Sequence, residues 1–124
     1  MNKFPRTKVG GKSLSRMIIG TNWILGFSHR GPAADYMIKK RHSSKESIAE
    51  ILVAFLERGV DTLMAPFAGN QHLIDAVKLA EDKTSKEMIM IDTPIINVDD
   101  NQNARQEAEK VICRVKIIKG VSLF

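Results

Sequence analysis

The sequence predicts an α/β fold in which parallel strands are covered by helices, and three observations predict it. Four short apolar runs punctuate the chain: Met17–Ile19, Val60–Ala65, Met88–Ile91 and Val121–Phe124. A segment with helical periodicity fills each gap between them. The first run, within Lys12 to Trp23, stops at Gly20 and hands over to small polar residues. Strand and helix alternating in this way is the pattern of a sheet covered on both faces. In such sheets binding groups gather beyond the C-terminal ends of the strands.

Each element has its own signal. Thr7 to Leu14 reads as a small hairpin turning at Gly10-Gly11, because paired glycines tolerate the positive φ of a tight turn. The first helix should begin at Ser43, since Ser43-Ser-Lys-Glu46 has capping-box spacing. Ile48, Ile51, Leu52, Phe55 and Leu56 follow as one apolar stripe, and Arg58-Gly59 ends it. The second helix takes Asn70 as its cap and presents Leu73, Ile74, Val77 and Ala80 inward. The third spans residues 103–116, with Ala104, Ala108, Val111, Ile112 and Val115 on its inner side, and Gly120 stops it. Cys113 lies off that stripe and reads as a bystander, not a nucleophile.

At the end of the chain, Val121 to Phe124 looks like a strand just beginning. An unpaired apolar edge invites association, so the reading is a single domain, 1–124, forming the N-terminal part of a larger (β/α)8 barrel. The expected architecture is therefore an N-terminal β-hairpin and then an incomplete TIM-like parallel barrel of three to four strands and three helices. Self-association through the last strand is the corresponding expectation.

Bulk composition fits a globular domain: 124 residues, 44% of them hydrophobic. No apolar run reaches the roughly 18 residues of a membrane span, and no secretory leader is visible. One cysteine cannot form an internal disulfide, which fits a reducing cytoplasm. Charge is uneven. Residues 1–45 carry ten Lys/Arg against Asp35, a balance of +9, whereas residues 46–124 carry nine basic against thirteen acidic, a balance of −4, giving the overall +5. The densest cluster is Lys39-Lys-Arg-His42. It could attract an anion, but with no interleaved aromatics or reading helix the pattern argues against nucleic acid. Gly10-Gly11-Lys12-Ser13 is not a phosphate loop, because the first glycine is missing and it precedes a strand.

The opening of the chain resembles that of the aldo-keto reductases. The features that carry this are the short hairpin and then Ser15-Arg16 leading an apolar strand that ends Gly20-Thr21. Glu57-Arg-Gly-Val-Asp-Thr62 also resembles their helix-to-second-strand junction. The resemblance implies a β/α barrel whose bottom the hairpin plugs, and NADP as cofactor, bound mostly by later strands outside this chain. It also implies an aspartate and a tyrosine after the second strand, a lysine after the third and a histidine after the fourth. Here those places read Met64, Phe67-Ala68-Gly69, Asp92-Thr93 and the neighbourhood of Phe124. Carbonyl reduction needs an acid to protonate the developing alkoxide, and Phe67 cannot supply one.

The residues that do stand at the strand ends suggest a small polar ligand. Asn22, Ser28, Arg30, Asn70 and Thr93 offer polar groups, with Trp23 and Phe27 as apolar wall and Phe67 as a further substrate-binding candidate. His29 is the candidate general base and Asp92 the carboxylate that fixes its tautomer. No HxH, HExxH or CxxC spacing occurs, so no metal site is expected. His42 and His72 stand beside helix starts and read as solvated. Two functions follow: a diverged small-molecule enzyme of oxidoreductase-like type, inactive as this chain alone, or a non-catalytic anion- or small-ligand-binding module using the basic first third.

Overall fold

The computed structural model describes residues 3–94, 99, 101–117 and 121–123, by backbone alone beyond residue 110. It is a mixed α/β arrangement with four helices and two small sheets. Strands β1 (Arg6–Val9) and β2 (Lys12–Ser15) form the expected antiparallel hairpin, with Val9 opposite Lys12. Gly10 and Gly11 both have positive φ, 56° and 80°, which is why glycine fills both turn positions. The hairpin is tied beneath the other sheet. Arg6 pairs with Asp61 at 2.9 Å, and the Ser15 amide donates to Thr62 Oγ1 at 3.2 Å.

The second sheet is parallel and ordered β3 (Thr62–Ala65), β4 (Ile89–Asp92) and β5 (Val121–Leu123). The strand expected at Met17–Ile19 shrinks to one parallel bridge from Ile19 to Leu63. Its two bonds are real: the Ile19 amide donates to Thr62 O at 2.8 Å, and Met64 N donates to Ile19 O at 2.9 Å. Met17 and Ile18 are exposed, so little apolar contact extends the pairing.

Helix α1 (Pro32–Arg41) has no counterpart in the sequence reading, which found only a basic cluster there. It buries no residue, so it lacks the apolar stripe on which that reading depends. Its signals are local: Pro at the start, Asp35 in the first turn, and Lys39, Lys40 and Arg41 in the last. Helix α2 (Lys45–Glu57) is capped by Ser44, which accepts from Ser47 N at 3.2 Å. Ser43, the expected cap, instead donates its hydroxyl to Lys40 O, closing α1. The α2 stripe buries as expected, with Ile48, Leu52 and Leu56 essentially inaccessible, each contributing about 1.5–3 kcal/mol. Lys86 Nζ donates to Leu56 O at 3.1 Å and covers the end of α2.

Helix α3 (Gln71–Thr84) buries Leu73, Ile74, Ala76, Val77 and Ala80 against α2 and the sheet. Asn70 stands at its cap position without a capping bond; its Nδ2 donates to Pro66 O at 2.6 Å. Helix α4 (Gln102–Ile117) starts where Asn101 Oδ1 accepts from Ala104 N at 2.9 Å. Ala104 is buried and Ala108 half-buried. The expected inward positions Val111, Ile112 and Val115, and Cys113, Gly120 and Phe124, lie outside the residues described at side-chain level. Among the described residues no helix is long and apolar enough to cross a membrane.

Candidate functional site

Side chains alternate along β3 and β4, and that alternation sorts the strand ends. Leu63, Ala65 and Met90 face the helices and join the core, while Met64, half open to solvent, faces the other way. Thr21 Oγ1 donates to Met64 O at 3.2 Å, carrying the first loop back over β3. Thr93 N donates to Ala65 O at 3.0 Å and keeps the end of β4 level with it. The result is a cleft of about 540 Å³ lined by Thr21, Asn22, Trp23, Met64, Pro66 and Thr93. It lies over the C-terminal ends of neighbouring strands, where α/β sheets place ligands.

The first loop builds one wall. Leu25 N bonds Thr21 O, Gly26 N bonds Trp23 O and Phe27 N bonds Asn22 O, a single turn that leaves Trp23 58% exposed at the cleft. Beyond it the chain is pinned by Asp35: its Oδ1 accepts from Ser28 N at 2.8 Å and from Ser28 Oγ at 2.6 Å. Those two bonds hold the Asp35 carboxyl below its usual pKa, with Lys39 and His29 adding smaller attraction. Arg30 N donates to Ser28 Oγ at 3.2 Å. Between these anchors His29 takes φ 56°, a left-handed conformation that a residue with a β-carbon rarely adopts. Its Nε2 lies 3.5 Å from Asn22 Nδ2, so Asn22 and His29 meet at the cleft rim.

Asp92 stands elsewhere. In register with Ala65, it lies on the helix side of the sheet, opposite to Met64 and Ile91. It is 2% exposed, and its Oδ1 accepts from Phe67 N at 2.9 Å. Its Oδ2 is buried with no hydrogen-bond partner among the described residues, an arrangement that costs about 1–3 kcal/mol. The carboxylate bonded beside His29 is Asp35, which holds the neighbouring Ser28, with the His29 charge adding a small attraction to it. Sequence reasoning left Asp35 out, although a lone acid in a basic segment, one turn after Pro32, was a usable signal.

Of the remaining candidates, Asn22, Trp23 and Thr93 line the cleft together. Ser28 is buried and occupied by Asp35, Arg30 is exposed, and Asn70 is half-buried on the Pro66 carbonyl. Phe67 is fully buried in the core, not a substrate-binding residue. The positions where the resemblance implies an aspartate and a tyrosine hold no proton donor. Met64 at the cleft carries no exchangeable proton, and Phe67 is both sealed in the core and without a hydroxyl. Among the described residues no group of three or more His, Cys, Asp or Glu could hold a metal ion. No family model, no curated protein and no solved structure matches this chain.

Proposed function

We propose that this chain is the N-terminal part of an aldo-keto-reductase-like β/α barrel, and that its strand-end cleft binds a small polar molecule. The observation that carries this reading is the cleft itself, which joins the loop after Ile19 to the ends of β3 and β4. The parallel order from Ile19 through β5, with a hairpin tied beneath, supports the barrel. In this reading Asn22 donates to a ligand oxygen, and His29 beside it takes or gives a proton. Trp23 and Met64 form the apolar side that keeps water from one face of the ligand. Asp35 and Ser28 act through the loop, holding His29 in its left-handed conformation. The chemistry is a proton transfer or a binding event, and carbonyl reduction is not part of the reading.

Trp23 is the only tryptophan, so its emission reports directly on the cleft. Titration with a panel of small polyols and hydroxy-carbonyl compounds should give a saturable change. Asn22→Ala should weaken it about 5–10-fold, the value of one hydrogen bond. No saturable change with any member of the panel, or an undiminished response in Asn22→Ala, would contradict the reading.

A further inference from the structure

A second hollow lies on the other side of Pro66, and the case for it is independent of the strand-end cleft. It holds about 380 Å³ and is walled by Ile24, Phe27 and Pro66, with Lys39, His42 and His72 on its polar side. These residues come from the first loop, the end of α1, the turn into α2, the β3–α3 loop and the first turn of α3. Among the described residues no carboxylate lines it, although acids outnumber bases after residue 45.

Two of the three basic groups are held by specific contacts. The Lys39 ammonium sits 5.6 Å from the centre of the Phe27 ring, a cation–π separation. Its stem lies against Gly26, where a β-carbon would collide with it. His42 Nδ1 is 2.9 Å from Ser47 Oγ, whose own proton goes to the Arg41 carbonyl at 3.1 Å. The hydroxyl therefore accepts, Nδ1 carries the hydrogen, and a neutral His42 has only a lone pair on Nε2. Both ring nitrogens donate only in the imidazolium. His72 stands in the first turn of α3, which carries no acid. Among the described residues none of the three makes an ion pair. Asp35, one turn before Lys39 on α1, attracts the Lys39 ammonium across that turn while its Oδ1 accepts from Ser28.

We infer that this hollow binds a phosphate monoester with a small apolar body. The phosphate lies among Lys39, His42 and His72, and the body lies on Ile24, Phe27 and Pro66. A phosphate monoester carries close to two negative charges near neutrality, which an ammonium and an imidazolium match better than they match a single carboxylate. Binding and protonation of His42 are then linked, since the anion needs the imidazolium donor. The charged groups that share a hollow with His42 are Lys39 and His72 on this side, and Arg41, Glu50 and Arg58 in the adjoining one.

The test is an NMR titration at low salt with phenyl phosphate, inorganic phosphate and phenol, following backbone amides and histidine ring signals. Phenyl phosphate should saturate at about 1 mM, inorganic phosphate should bind more weakly, and phenol should not bind. The His42 titration midpoint should rise when phenyl phosphate is present. Lys39→Gln and His72→Ala should each weaken binding about 5-fold or more, with the amides of Leu52 and Leu63 unmoved to show an intact core. Lys8→Ala, on the hairpin, should change nothing. Absence of saturable shifts, equal binding by phenol, undiminished binding in Lys39→Gln, or an unmoved His42 midpoint would each overturn the assignment.

Discussion

The stretch from α2 to β4 and the stretch from Thr21 to Arg41 are held by different forces. Residues 45–92 bury an unbroken apolar cluster, in which Leu52, Leu63, Leu73 and Val77 are almost wholly inaccessible. Residues 21–41 add only Ile24 and Leu25 to that cluster, and α1 buries nothing. This second stretch is shaped by local polar bonds, chiefly the two from Ser28 to Asp35. Both basic-lined and polar-lined hollows open beside the second stretch. One part is a β/α unit held by burial and the other a segment braced by local polar bonds, and the polar groups lining the hollows stand where the two join.

The largest effect should come from the core. Leu52→Ala removes a fully buried side chain from α2 and should lower stability by about 2–5 kcal/mol in urea unfolding. A loss below about 1 kcal/mol would mean that α2 is not seated as described. A smaller effect sharpens the boundary between the two stretches. Asp92→Ala strands the buried Phe67 amide, a loss of about 1–3 kcal/mol that removal of the unpartnered Oδ2 partly offsets, whereas Asp92→Asn keeps the acceptor oxygen and should be less destabilising than the alanine variant. If Asp92→Ala instead abolishes the Trp23 response at unchanged stability, Asp92 meets the ligand directly and the division drawn here fails.

The same contrast explains what the sequence made legible. Helices α2 and α3 were readable because burial imposes a stripe, and Ile48, Leu52, Leu73 and Val77 display it. The paired glycines made the hairpin readable, because few residues accept two positive φ angles in succession. Helix α1 was not readable, since a helix without a buried face leaves no periodicity, only end signals such as Pro32 and Asp35. The start of α2 was misplaced by one residue because Ser43 and Ser44 are both competent caps, and only the turn geometry chooses between them. At the site, Asn22, Trp23 and Thr93 could be placed on strand ends from the β/α alternation alone. The direction of Asp92 could not. In a strand apolar on both faces, nothing in the residues marks which side a terminal carboxylate will take. The bond of Ser28 to Asp35 was hidden for another reason: it depends on α1 folding back along the first loop.

Hydrogen exchange read amide by amide at two pH values separates a polar brace on residues 21–41 from burial in the core. Asp35 has a folded-state pKa below its usual 3.8. Its bracing is therefore complete above that value and is lost as pH falls through the lower folded one. At neutral pH the Ser28 and Arg30 amides should be protected, though less than those of Leu52 and Val77. Well below pH 3.8 the first pair should lose their protection, measured against intrinsic exchange rates, while Leu52 and Val77 keep theirs. Amides of both stretches losing protection together on acidification, or Ser28 remaining protected once Asp35 is protonated, would contradict the account.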